Sequence, residues 1–224
     1  MNVPRVPHRW SLTPRQAVAV QRRLAAQVVV VEPDRPLRLV AGLDCAFTAS
    51  ACLAAVVLWD AESRTVVEQH TARRPLRFPY VPGLLSFREA PALLAALRNL
   101  TRTPDALLCD GQGLAHPRRF GIACHLGVVC RLPSLGCAKS RLIGTHELPA
   151  RPRGSTAELL DRGEVVGEVL RTQDGGRPVY VSVGHRFTLN AARELVSRCV
   201  TVHRLPEPTW LADRLVAEFK RTQL

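Results

Sequence analysis

Lysine is nearly missing from this chain: among 31 lysines and arginines, only Lys139 and Lys220 are lysines. Acidic residues are also few, 19 in all, which leaves a formal net charge of +12. Almost all of the positive charge is therefore guanidinium, a group suited to bidentate contact with phosphate and carboxylate. A long apolar run is lacking too. The longest, Ala51–Trp59, is about half a membrane span, and Arg5, Arg9, Arg15, Arg22 and Arg23 interrupt the N-terminal region. Neither membrane insertion nor export is expected, and the expected location is the cytoplasm. No C-x-x-C pair occurs among the seven cysteines at 45, 52, 109, 124, 130, 137 and 199, so a zinc site has no starting point and the thiols read as buried and reduced. No G-x-S-x-G elbow is present for a serine hydrolase, and Ser182-Val183-Gly184-His185 reads as a strand end. Internal repeats and low-complexity tracts are absent, which excludes solenoids and disordered arrays.

What is there suits one well-buried core: 224 residues with 46% apolar content. We read residues 1–224 as a single domain, with an amphipathic helix at 12–27 and a linker closed by Pro33 and Pro36, so that residues 1–36 pack on the core. Three β-rich stretches, Leu37–Phe47, Ala51–Asp60 and Arg64–Arg73, are joined by turns too short for anything but antiparallel neighbours. Helical spacing over Ser86–Leu100, a buried strand at Asp105–Asp110, a helix at Arg118–Cys130 and a strand at Leu135–Ala138 then give a β-α-β pattern. A hairpin region follows at Val165–Val183, turning at Asp174-Gly175-Gly176, and helices at 190–200 and 208–220 end the chain. The expected fold is α/β: a mixed sheet with its first three strands antiparallel, flanked by helices, in the order of ribonuclease-H-like proteins.

Within this basic chain, Asp44, Glu89, Asp110 and Asp213 stand in apolar or turn-forming surroundings where a free carboxylate is costly. Hard oxygen ligands of this kind hold Mg²⁺, and a basic surface holds phosphates. Asp44, between Leu43 and Cys45 in a buried strand, needs a partner. Asp110 ends an apolar strand at the rim where open α/β sheets bind ligands, although on local sequence alone an Asp-Gly turn is the favoured account. Glu89 completes a Ser86-x-x-Glu89 capping box as readily as a catalytic set, with Pro91 obscuring where that helix starts. Asp213 fits an exposed pairing with Arg214 on an amphipathic helix. Lys139, following an apolar strand, should reach the same rim as Asp110 and offset the carboxylates or bind a phosphate.

Two loops add to this set. Phe78-Pro79-Tyr80-Val81-Pro82-Gly83-Leu84-Leu85 is rigid and apolar; exposed, it would be a wedge able to enter a base stack, and buried, it would pack on the following helix. Gly111-Gln112-Gly113 leads through His116 to Arg118 and Arg119, and could present amides and guanidinium groups to a phosphate or base. His116 and His125 among carboxylates do not suggest zinc.

Taken together these segments resemble the endonuclease V family. The resemblance is carried by A-G-L-D at 41–44, P-Y-V-P-G-L-L-S-F-R-E at 79–89, D-G-Q-G-L-A-H-P-R-R-F-G-I-A-C-H-L-G-V at 110–128, G-C-A-K-S-R-L at 136–142, G-H-R at 184–186 and R-L-P-E-P-T at 204–209. It implies a ribonuclease-H-like enzyme that nicks DNA at the second phosphodiester bond 3′ to deoxyinosine, with Mg²⁺ as the usual ion and Mn²⁺ as its substitute. By motif, Asp44 and Asp110 match the metal-binding aspartates, Glu89 the catalytic glutamate, and Asp213 a C-terminal position held by Asp or His. Tyr80 matches the wedge residue, with Val81, Pro82, Gly83 and Leu85 in its loop, while His116 and Lys139 match residues near the substrate. Gly111, Gly113 and Gly136 would help shape a pocket for a flipped base. The chain departs from the pattern at Gln112, where His or Asn is common, at Cys137, where Val is common, and at Trp210, where Arg usually follows. The implied partner is DNA containing deaminated bases, bound by a monomer; inosine-containing RNA and a basic binding module without catalysis are the alternatives.

Overall fold

The computed structural model describes residues 1–223. The elements in chain order are α1 (Pro14–Ala25), β1 (Leu39–Phe47), β2 (Ala51–Asp60), β3 (Thr65–Pro75), α2 (Leu85–Arg98), β4 (Ala106–Cys109), α3 (Ile122–Cys130), β5 (Ser134–Ala138), β6 (Thr156–Asp161), β7 (Glu164–Leu170), β8 (Val179–His185), α4 (Leu189–Cys199) and α5 (Glu207–Arg221). All eight strands join one mixed sheet in the order β3-β2-β1-β4-β5-β8-β7-β6. The first three strands are antiparallel, β1, β4 and β5 run parallel, and β8 returns antiparallel to β5. The α/β class and the antiparallel opening expected from the sequence are both found.

β2 lies one strand in from the β3 edge, and all ten of its residues are buried, because helices cover both of its faces. Side chains alternate across a strand. Cys52, Ala54, Val56 and Leu58 accordingly join Ala41 and Leu43 of β1 against α2 and α3, whereas Leu53, Ala55 and Val57 meet Ala212 and Val216 of α5. A third cluster seats α4 on β5 and β8 through Leu135, Val181, Leu195 and Val196. Gly42 explains how closely α5 can approach. A Cβ there would lie 2.1 Å from the carbonyl carbon and oxygen of Pro208, so the N-terminal turn of α5 rests directly on the β1 backbone. On that same face of β1, two residues along, is Asp44.

Three expectations need correction. The helix expected at Arg118–Cys130 begins at Ile122, because residues 113–121 form a closed loop in which the Gly121 N–H donates to Gly113 O and Arg119 takes a left-handed φ of 52°. The Ser86–Glu89 capping box does not form: helix α2 starts at Leu85, Ser86 lies inside its first turn, and the Ser86 hydroxyl bonds His125 Nδ1 at 3.0 Å. Pro91 is interior to that helix rather than at its start. The sequence reading also missed β6, which forms a hairpin with β7 across Arg162 and Gly163, both at positive φ (56° and 79°), as a tight hairpin turn requires. The expected β7–β8 hairpin is present, and its connection contains Asp174, Gly175 and Gly176. No helix among the described residues is long and apolar enough to cross a membrane. The cysteines are all free, and only Cys45 is partly exposed.

Candidate active site

The parallel pairing of β1 with β4 sets the centre of the site. Leu43 pairs with Cys109, and the Asp110 N–H donates to Leu43 O at 3.1 Å, so Asp44, inside β1, and Asp110, just past the end of β4, lie side by side. Strand alternation turns both toward the α5 face, where Asp213 projects from its helix. Lys139, just past the end of β5, donates to Asp110 Oδ2 at 2.6 Å and lies 3.8 Å from Asp213 Oδ1. Glu89 comes from α2 on the opposite face. The structure thus gathers Asp44, Asp110, Asp213 and Lys139 at one rim, with Glu89 close enough that the charges of Asp44 and Asp110 act on it. Asp213 is not paired with Arg214, whose guanidinium lies over Trp210 at 5.5 Å.

Crowding buried carboxylates raises their affinity for protons. Burial first, and then the charge of Asp110, push Asp44 up to about 8, against the pull of the Cys45 N–H (2.7 Å) and of Lys139. Burial raises Asp110 as well, with Lys139 offsetting part of the effect. Glu89 is held well above the usual carboxylate range by burial and then by its acidic neighbours, Cys52, Asp44 and Asp110. A divalent cation would relieve this repulsion. The donors fit Mg²⁺, an ion commonly held by one or two carboxylates with water and phosphate oxygens filling its shell. Asp44 and Asp110 can supply those two. Among the described residues no three acidic, histidine or cysteine side chains converge as a complete cage.

Beside this centre lies a cavity of about 400 Å³. Tyr80, Val81, Pro82, Gly83 and Leu85 form one wall, Asp110, Gly111, Gln112 and His116 another, and Lys139, Ser140, Arg141 and Leu142 a third. Tyr80 is 72% exposed at its mouth, so of the two readings of the 78–85 loop the exposed one holds at its tip, while Phe78 and Leu84 anchor it in a small core with Ala17 and Phe87. Gly113 and Gly136 do not line the cavity. A Cβ on Gly136 would sit 2.3 Å from Gly111 O, and one on Gly113 2.0 Å from Val183 O, so these glycines let the 111–113 segment lie flat on β5 and β8 and shape the wall from behind. His116 lines the cavity but has both ring nitrogens engaged: Nε2 donates to Gly83 O (2.8 Å) and Nδ1 accepts from the Arg118 N–H (3.1 Å). Burial lowers it to about 4, which keeps the imidazole neutral, as this pattern needs.

Sequence reasoning did not place Gln21, Ser140, Arg141 or Leu142 at the site, and read Ser86 only as a helix cap. Gln21 lies on the buried stripe of α1 between Ala17 and Leu24, donates to Gly83 O (2.9 Å) and Phe120 O (3.1 Å), and accepts from Arg118 Nε (2.5 Å). A glutamine on the apolar stripe of a helix was the available signal. Gln112, noted only as a departure, donates to Ser140 O at 2.9 Å and ties the second wall to the third.

Comparison with known proteins gives the family of the chain. The family model for endonuclease V matches residues 22–214. The chain is 52% identical over 208 residues to an endonuclease V from Roseiflexus sp. strain RS-1, covering 93% of this chain and 94% of the relative. The crystal structure of endonuclease V from Streptomyces avermitilis superposes with a TM-score of 0.92 at 43% identity, over the full length of both chains. An endonuclease V from Ciona intestinalis, solved with a 24mer DNA containing an inosine followed by a ribo-adenosine, shares the fold with a TM-score of 0.81 at 22% identity, over 94% of this chain and 98% of that one.

Proposed function

This chain belongs to the endonuclease V family of nucleases, and from that premise we propose that it nicks DNA at the second phosphodiester bond 3′ to deoxyinosine by Mg²⁺-dependent hydrolysis. The observation that carries the reading is the meeting of Asp44, Asp110, Asp213 and Lys139 beside a cavity with Tyr80 at its mouth. The inosine-containing DNA solved with the Ciona relative supports the choice of lesion.

Asp44 and Asp110 would hold the ion, which when bound supplies Lewis-acid polarisation of the scissile phosphate and stabilises charge on the leaving 3′ oxygen. Glu89, close enough to Asp44 and Asp110 to feel their charges, would position the attacking water or a second ion. Lys139 approaches the scissile phosphate from the side of Asp110 and contributes a positive charge there. Asp213, more exposed than the two strand aspartates, orients water at the open side of the cluster. The products would be a 3′-OH and a 5′-phosphate. Selectivity comes from extrusion of the lesion, which costs less at a weak pair, into the cavity, while Tyr80 fills the gap in the stack.

The test is a Mg²⁺-dependent nicking assay on duplexes carrying either deoxyinosine or adenine at one position, with the cut mapped to the nucleotide. A nick one nucleotide beyond the lesion, absent with adenine, is the expected result. Cleavage of both duplexes would replace lesion recognition with a structure-directed nuclease. Cleavage only of the matched inosine-containing RNA would move the substrate to RNA, and Mn²⁺ in place of Mg²⁺ should sustain the reaction.

A further inference from the structure

A second pocket, about 280 Å³ in volume, lies on the other side of α2 from the acidic cluster. Its charged lining is entirely arginine: Arg74 at the end of β3, Arg77 in the segment that follows, and Arg88 and Arg98 on α2. Trp10 and Pro91 close its apolar side. Arg74, Arg77 and Arg98 are exposed, and none of the four arginines makes an ion pair among the described residues. Two have neutral partners: Arg88 donates to Phe78 O at 2.9 Å and covers the Phe47 ring, and Arg74 donates to Arg73 O. Four guanidinium groups around one concavity repel one another, so the pocket gains stability when an anion enters.

The register of α2 says where that anion comes from. Arg88, Pro91, Leu94 and Arg98 recur at helical spacing along one stripe and line this pocket, whereas Leu85 and Ser86 of the same helix line the cavity beside the acidic cluster, and Glu89 points into the cluster itself. One helix, about 10–12 Å across with its side chains, separates the two sites. That width corresponds to roughly three base-pair rises of 3.4 Å along the duplex axis. Arg88 also donates to Phe78 O, at the root of the loop that carries Tyr80, so the pocket and the wedge loop are in direct contact.

Resting on the nuclease reading above, we propose that this pocket is a phosphate-binding subsite that grips a phosphodiester of the duplex flanking the lesion, about three nucleotides from the cleavage centre. Trp10 bounds it on the apolar side and the arginines supply the charge. Its part is to fix the register of the DNA on the protein without reading sequence.

Affinity without cleavage tests this, using the full chain in EDTA with inosine-containing and undamaged duplexes. The double variant Arg77→Gln/Arg98→Gln should bind both duplexes about five- to tenfold more weakly near physiological salt, with the slope of log K against log salt shallower by about one. Arg64→Asn in the β2–β3 turn, at the opposite end of the strands, removes one charge at a position whose φ of 56° asparagine tolerates, and should change affinity less than twofold. On the wild-type protein, a neutral methylphosphonate placed stepwise along the flank should weaken binding at one linkage about three nucleotides from the lesion, a readout that needs no variant to fold. Unchanged affinity and slope in the double variant, or a methylphosphonate scan with no sensitive flanking linkage, would overturn the subsite. Inorganic pyrophosphate that stabilises the wild type but not the double variant, with DNA affinity equal in both, would reassign the pocket to a free anion and also overturn it. Failure to nick inosine DNA leaves these binding measurements intact, so the two readings fail separately.

Discussion

Lys139 and Asp110 form the shortest ion pair at the acidic rim, 2.6 Å, in a place where burial raises the carboxylate's proton affinity. Removing Asp110 therefore removes a metal ligand and leaves Lys139 facing Asp44 and Asp213. Asp110→Ala should lower the single-turnover nicking rate more than ~100-fold, beyond the 10–100-fold typical of losing a residue outside the ligand shell, while DNA affinity changes only a few-fold. Tyr80 makes its contribution at the cavity mouth. Tyr80→Ala should reduce the ratio of kcat/KM for inosine over adenine about tenfold, and a preserved ratio would leave it as a packing residue of its loop. Buried neutral histidines supply one part of the acid response. His125 is lowered to about 3 by burial and then by His8, whose Nε2 lies 2.8 Å from its own, against ~6.5 in an unfolded chain. The unfolded state thus binds more protons below pH 6.5, so this contribution is complete above pH 6.5 and is lost as pH falls toward 3. Glu68 adds to the loss lower down: burial works against its charge, but the Thr101 and Arg102 N–H groups and His70 hold it at about 2, so its contribution is present above ~4.5 and disappears toward pH 2. The buried carboxylates act in the opposite sense: Asp44, Asp110 and Glu89 keep protons in the folded chain that the unfolded chain has released, so their contribution grows as pH falls from about 8 toward ~4. The histidine part is therefore read as a difference: the urea midpoint of the wild type minus that of His125→Gln should be level above ~6.5 and decline below it, and a level difference between ~6.5 and ~4.5 would contradict a neutral buried His125.

At the scale of elements, the site depends on how closely α5 sits on β1. Gly42→Ala would drive a Cβ into backbone atoms of Pro208 and Thr209 at 2.1–2.6 Å, none of which can rotate away. The N-terminal turn of α5 must shift, carrying Asp213 from the rim. We expect a loss of about 1–3 kcal/mol in chemical denaturation, as for overpacked cores, together with slower nicking; a variant that is destabilised but cleaves at the wild-type rate would show that Asp213 does not need its present position. This dependence also marks what could be read from the sequence. The first three strands and α2 were legible because short turns and hydrophobic period are local properties, and from them Asp44 and Asp110 could be set side by side. β6 was not, because its turn uses Arg162 at positive φ where Asn or Asp would have signalled a hairpin. Glu89 was ambiguous because Ser86 could cap it on local grounds, and only the packing of α3, which offers His125 to that hydroxyl, decides otherwise. Gln21 was hidden for the same reason: its partners at Gly83 and Phe120 are 62 and 99 residues away.

The whole molecule combines a compact acidic centre with a charge of +12. Beyond histidine, only Arg35, Arg38, Arg119, Lys139, Arg162 and Arg193 have a carboxylate within 4.0 Å among the described residues, so most of the guanidinium charge is uncompensated. Such a surface attracts a polyanion at long range and releases its counterions on contact, whereas the carboxylate cluster acts only at a distance of a few ångströms. The two effects should separate in salt. Equilibrium binding of duplex DNA in EDTA should weaken linearly in log–log form with a slope of at least about −3.6, the value for four phosphate contacts. The single-turnover nicking rate at saturating protein, set by groups already in contact, should change less than about twofold over the same range. A binding slope near zero would mean that the arginines are a solvated face with no nucleic-acid role, because counterion release cannot be avoided if they touch phosphates. A steep slope in both quantities would place a salt-sensitive step after binding, and the 78–85 loop, with Tyr80 exposed at its tip and Gly83 O held by Gln21, His116 and Arg118, is the segment whose movement would then limit the reaction.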